Sequence, residues 1–288
     1  MKPTVSRQLI RPERRAEIAD LAEAVAGEHC PSLPVEPGAI ARAKRITLSF
    51  GPYGEAFDGM LEHRAGRFHI FCNLDRLGAA DAPRARFTLA HELGHYYLDE
   101  HRHALLAGRA QAHRSACEFE SPILAEQEAD LFAANLLMPR RRFLAKARIA
   151  TPGLEGVASL GRQFGTSLTA TAIRCAAADV RPCAVVKWDG RGFAWKCLSS
   201  SILRGRLRRT FTAERDLAED SPTRRALARE AVPEVGWFQA GTTASAWFAG
   251  VEAGDFRDAI FIEQAAPLGR WGVLTFLYPQ QRLGLGAV

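Results

Sequence analysis

Arg-Phe-Thr-Leu-Ala-His-Glu-Leu-Gly-His, residues 86–95, is the stretch on which the reading of this 288-residue chain turns. It lies in a pattern that opens near Pro83 and carries Phe87, Leu89, Ala90, Leu93 and Tyr97 at the spacing of a long helix. His91 and His95 are four residues apart, so both imidazoles leave one helix face and can reach one ion. Glu92 falls on the adjoining edge, where a carboxylate can take a proton from water. Zinc suits these donors, because its catalytic sites combine three protein ligands with a water. A third ligand is therefore required.

Two segments offer one. Glu126-Gln127-Glu128-Ala129-Asp130 places Glu126 and Asp130 on one face of a second helix. In that gluzincin arrangement Glu126 binds the zinc and Asp130 orients a ligand histidine from behind. The rival is His101, at the spacing H-E-x-x-H-x-x-x-x-x-H. That metzincin alternative needs a glycine at position 98 to turn the chain, and Leu98 there is expected to let the helix continue. Glu126 is the expected ligand, ahead of His101 and Glu128. Two neutral imidazoles and one carboxylate leave a net positive centre, which acidifies bound water toward a pKa of ~7. The expectation is one Zn2+ per chain, held by His91, His95 and Glu126, with Glu92 as general base.

Outward from these helices, residues 12–26 read as a helix with Ile18, Leu21, Ala22 and Val25 on one face, ended by the Pro/Gly-rich residues 31–38. Residues 45–50 read as a strand, and 56–61 with 67–72 as a hairpin around Arg64-Ala65-Gly66. Residues 99–120 are polar and without a clear period, which predicts a long functional loop. Ser121 and Pro122 then look like the cap and first residue of the second metal helix, which must stop or bend near Pro139. Thr151-Pro152-Gly153 is the best linker candidate. Beyond it, residues 157–164 and 167–176 read as two short helices about Gly165, a helix-turn-helix pattern. Either DNA binding or a structural linker fits, and Arg174, the only charge in the second helix, offers few phosphate contacts. After Arg181 the pattern changes to strands at 183–188, 193–198, 260–263 and 272–278, with a short helix at 223–231.

Composition sets the class. Charged residues make up 24% and hydrophobic ones 47%, as in ordinary globular proteins. No stretch approaches a membrane span, the basic N-terminus lacks an apolar signal core, and the six cysteines are scattered. A cytoplasmic protein with free thiols and no membrane partner is expected. Net charge is +6, and residues 181–211 hold eight basic side chains against one acid, Asp189. With Trp188, Phe193, Trp195 and Phe211 interleaved, that stretch is a candidate site for single-stranded DNA as an activator, through Arg204, Arg206, Arg208 and Arg209.

Residues 86–95, followed by E-Q-E-A-D-L-F-A-A-N-L-L-M-P at 126–139, resemble the ImmA/IrrE metallopeptidases. L-G-R-Q-F-G-T-S-L-T-A-T-A-I-R, residues 160–174, is similar to the family's usual continuation. The resemblance implies a zinc endopeptidase that cleaves a helix-turn-helix repressor, often encoded nearby, and so derepresses a DNA-damage or antiphage operon. It assigns zinc binding to His91, His95 and Glu126, and the general base to Glu92. The radiation-response and CBASS-immunity branches place a GAF-like sensor after the protease. The expected fold is α+β: a zincin-like metallopeptidase domain at 1–150, a helix-turn-helix-like linker at 151–180 and a GAF-like regulatory domain at 181–288. Cys117, between the two metal helices, is a candidate inhibitory zinc ligand, since a thiolate can take the position that water needs. The competing function is a DNA-binding regulator with a structural zinc and no proteolysis. Intact Glu92 argues against it.

Overall fold

The computed structural model describes residues 10–107, 113–115, 123–204, 217–248 and 259–280. It mixes helices and sheets, and divides into two compact units: residues 1–143 with 161–167, and residues 144–160 with 168–288.

The first unit runs α1 (Pro12–His29), α2 (Pro37–Ala43), β1 (Thr47–Gly51), β2 (Gly59–Arg64), β3 (Arg67–Asn73), α3 (Leu74–Leu77), α4 (Pro83–Tyr97), α5 (Asp99–Leu106), β4 (His113–Ser115) and α6 (Leu124–Leu137). Its sheet has the order β1-β3-β2-β4, with β1 parallel to β3 and the other pairs antiparallel. The β2–β3 hairpin turns at Ala65 and Gly66, both at positive φ, as the sequence predicts. Leu61 and Ile70 face each other across that hairpin. They are fully buried in one core with Ala90 and Leu93 of α4 and Phe132 and Leu136 of α6.

Gly94 sets how closely α4 and α6 approach. A Cβ added there would lie 3.1 Å from Ala129 Cα and 3.3 Å from Phe132 Cβ. That is tighter than ordinary packing, so a glycine against an alanine allows the two helix backbones to meet at the level of the histidines. The expected stop near Pro139 is observed, with Met138 capping α6.

Two expectations fail. Leu98 does not carry α4 onward: it adopts an extended backbone (φ −78°, ψ 113°), closing α4 and opening α5. Its side chain is only 2% exposed, so burying it compensates for the broken helix. Residues 99–106 are accordingly the helix α5 and not part of a loop. Its acids Asp99 and Glu100 suit the positive N-terminal end, and Leu105 is buried one turn after His101. The Ser121-Pro122 cap lies outside the described residues, and α6 begins at Leu124.

The helices α7 (Arg140–Ile149) and α8 (Leu154–Phe164) have residues in both units. The second unit continues with α9 (Leu168–Ala178), β5 (Ala184–Asp189), β6 (Gly192–Leu198), α10 (Ser200–Arg204), α11 (Pro222–Leu227), β7 (Phe238–Thr243), α12 (Ala244–Trp247), β8 (Ile260–Pro267) and β9 (Val273–Pro279). Its antiparallel sheet is ordered β6-β5-β9-β8-β7. Both faces are covered, which the alternation along β5 makes plain. Ala184, Val186 and Trp188 join the Phe238, Trp247 and Phe261 core, whereas Val185 joins Leu154, Val157, Ala172 and Phe276. The buried Glu263 carboxylate accepts from Ser221 Oγ, the Thr223 amide and the Trp247 indole, so its desolvation is offset by three donors.

Candidate metal centre

His91 and His95 leave α4 on the same face, and Glu126 reaches them from the first turn of α6. All three are buried. The imidazole Nε2 atoms are 3.1 Å apart, and the Glu126 oxygens lie 3.4 Å from His91 Nε2 and 3.3 Å from His95 Nε2. Ligands placed tetrahedrally about an ion at about 2.0–2.1 Å are separated by about 3.3–3.4 Å. The donor set therefore fits a zinc-sized ion in both geometry and chemistry. Among the described residues these three are the group whose donor atoms converge for a metal. Burial alone would raise the Glu126 carboxyl, but its contacts with the two histidines outweigh that and hold it far below the usual carboxylate range.

The outer nitrogens are also engaged. His91 Nδ1 is 2.8 Å from Asp130 Oδ1, the pairing that the Glu126–Asp130 spacing predicts. His95 Nδ1 is 3.1 Å from His101 Nδ1. His101 thus lies on the side of the His95 ring away from Glu126's partner atom, where a third ligand would not sit. Burial pushes the His101 imidazole below its ordinary value, despite the opposing pull of Glu128.

Glu92 is fully buried on α4. A Cβ added to Gly59 at the start of β2 would come within 2.6 Å of Glu92 Oε1 and 2.5 Å of the Thr88 methyl. Gly59 thus leaves room for the Glu92 carboxylate against the sheet. The start of β2 is pinned by Asp58, fully buried, which accepts from Arg76 of α3 and, at 2.9 Å, from Arg84 of α4. Burial pushes the Asp58 carboxyl up, but the two guanidinium hydrogen bonds prevail and hold it below the usual range. Sequence reasoning missed Gly59 and Asp58. A glycine carries no chemistry to read, and nothing in the spacing from 59 to 92 signals contact. We expect Gly59→Ala to keep its metal and to lose about 10²-fold in turnover, the cost of a misplacement near 1 Å. Unchanged turnover at full metal content would show that Glu92 tolerates the intrusion.

Elsewhere, the basic stretch is partly used internally. Arg181 donates to the Ala150 and Arg148 carbonyls, and Lys187 to the Trp188 and Trp271 carbonyls. Trp188, read from the sequence as a stacking ring, is a core residue whose indole donates to Thr275 Oγ1. Arg206, Arg208, Arg209, Phe211 and Cys117 lie outside the described residues, and Arg204 is the last residue of α10.

Residues 78–176 match the peptidase family described as the IrrE N-terminal-like domain. That segment contains both helices of the candidate centre, and the match bears out the resemblance to the ImmA/IrrE-type metallopeptidases read from residues 86–95 and 126–139. No curated protein matches the chain. A solved structure of a Mycobacterium tuberculosis transcriptional regulator is similar, at 12% identity and a TM-score of 0.57, covering 93% of this chain and 78% of that one. At that identity the likeness concerns the fold. Among the described residues no helix is long and apolar enough to cross a membrane.

Proposed function

We propose that the chain is a zinc-dependent, site-specific endopeptidase that cleaves a helix-turn-helix repressor, encoded nearby, and thereby derepresses a DNA-damage or antiphage operon. The observation that carries this reading is Glu92, buried on the same helix as two histidines that converge with Glu126. A structural metal site needs no such carboxylate.

His91, His95 and Glu126 would hold the zinc, which when bound supplies Lewis acidity toward water and the scissile carbonyl. The remaining work belongs to the protein. Asp130 fixes the His91 ring by accepting at Nδ1, so that Nε2 keeps its lone pair for the ion. Glu92 takes the proton of the attacking water at a carboxylate oxygen and returns it to the leaving amine. Gly59 and the buried Asp58 anchor keep that carboxylate in place.

The five-stranded antiparallel sheet of the second unit, covered on both faces, supports a GAF-like regulatory role for residues 181–288. A second reading is a DNA-binding transcriptional regulator with a structural zinc and no proteolysis; the Mycobacterium structure is described as a transcriptional regulator, which speaks to the regulatory part of that reading. Incubating zinc-loaded protein with the repressor of the adjacent gene separates the two. Zinc-dependent cleavage at one site supports the protease, and an intact repressor beside a fully loaded enzyme supports the regulator.

Regulation by Cys117 and by single-stranded DNA belongs to the same proposal. A thiolate cap would leave Glu92 no water to act on, and an activator must favour the uncapped state to lift it. Cys117→Ser should therefore raise basal repressor cleavage at unchanged zinc content, and single-stranded DNA should stimulate wild type more than the variant. Equal basal rates would remove the cap, and indifference to DNA would remove the activator.

A further inference from the structure

Behind His95, three helices contribute a continuous run of polar contacts. His95 Nδ1 meets His101 Nδ1 at 3.1 Å, and His101 Nε2 meets Glu128 Oε2 at 3.2 Å. Arg14 of α1 grips both Glu128 oxygens, with Nε at 3.0 Å and an outer nitrogen at 3.1 Å, and donates to Glu100 at 2.9 Å. His101 and Glu128 are about nine-tenths buried, so the contacts from His95 through His101 to Glu128 are shielded from water, whereas the Arg14–Glu100 pair is exposed.

The direction of each bond follows from one requirement. If His95 offers the lone pair of Nε2 to a metal, its proton sits on Nδ1, and that N–H must donate. His101 Nδ1 then accepts, which places the His101 proton on Nε2, and Glu128 accepts it. Arg14 can only donate, so it holds Glu128 as the acceptor that ends the relay. Every member has one consistent role. We infer that His101, backed by Glu128 and Arg14, is the positioning residue for His95: it selects the metal-binding tautomer and fixes the ring, as Asp130 does for His91. The two histidines are thus supported differently, one by a carboxylate directly and the other through a second imidazole.

This inference rests on the metal reading, and its test distinguishes the two. Zinc affinity is measured by chelator competition, and the visible spectrum of the cobalt-substituted protein reports ligand geometry. The proteins are wild type, His101→Leu, His101→Asn and Glu128→Gln. Leucine keeps the volume without an acceptor, and should weaken zinc binding by about 10–100-fold and broaden the cobalt bands. Asparagine places an acceptor oxygen near the position of Nδ1 and should restore part of that loss. Glu128→Gln leaves the core shape intact and should weaken binding by about 10-fold even if the leucine variant folds poorly. Wild type that binds no metal would overturn the metal reading itself. Wild type that binds tightly, with leucine and glutamine variants binding equally well, would reduce His101 to packing and overturn the relay alone.

Discussion

Replacing Glu92 with glutamine should leave the protein fully loaded with zinc and cost at least ~10²–10⁴ in repressor cleavage. The substitution keeps the shape of the side chain and its packing against Gly59, so the loss isolates the carboxylate. An amide cannot take a proton from water at neutral pH, and it has no charge to stabilise the proton once moved. The check is paired: metal content by elemental analysis and cleavage at a saturating repressor concentration. Near-wild-type turnover by Glu92→Gln would exclude it as the base, and loss of zinc would mean that it acts through the metal set instead.

The second large effect concerns the donors themselves. His91→Ala, His95→Ala and Glu126→Ala should each lower zinc affinity by more than the ~10–100-fold expected from an outer contact, and cleavage should fall with occupancy. Glu126→Ala is the most informative of the three. His101 lies at the spacing of a third ligand, yet it meets His95 at Nδ1, whereas Glu126 meets both Nε2 atoms. Retained zinc in Glu126→Ala would mean that α5 moves to bring His101 to the ion.

The legible part of the site was the part written in helical period. His91 and His95, or Glu126 and Asp130, share a face because of a spacing within one element, so both halves could be read before their meeting was seen. The strands of the β2–β3 hairpin were legible for the same local reason, through alternation and the Ala65-Gly66 turn. Strand β7, Phe238–Thr243, was not, because Gln239, Gly241 and Thr243 leave it almost no apolar pattern and only its pairing with β8 makes it a strand.

What the sequence carried by itself was the candidate chemistry: two imidazoles on one helix face with an acid beside them, and two acids at a helical spacing on a second helix. Tertiary structure decided which groups stand behind them. His101 changes from a candidate ligand to the partner of His95 Nδ1 because Leu98 breaks the helix to bury its side chain. Gly59 comes to lie over Glu92 because the β2 register and the Asp58 anchor put it there. Periodicity is a property of neighbours along the chain, whereas these contacts arise when separate elements pack, and the energy that selects them is shared over the whole core.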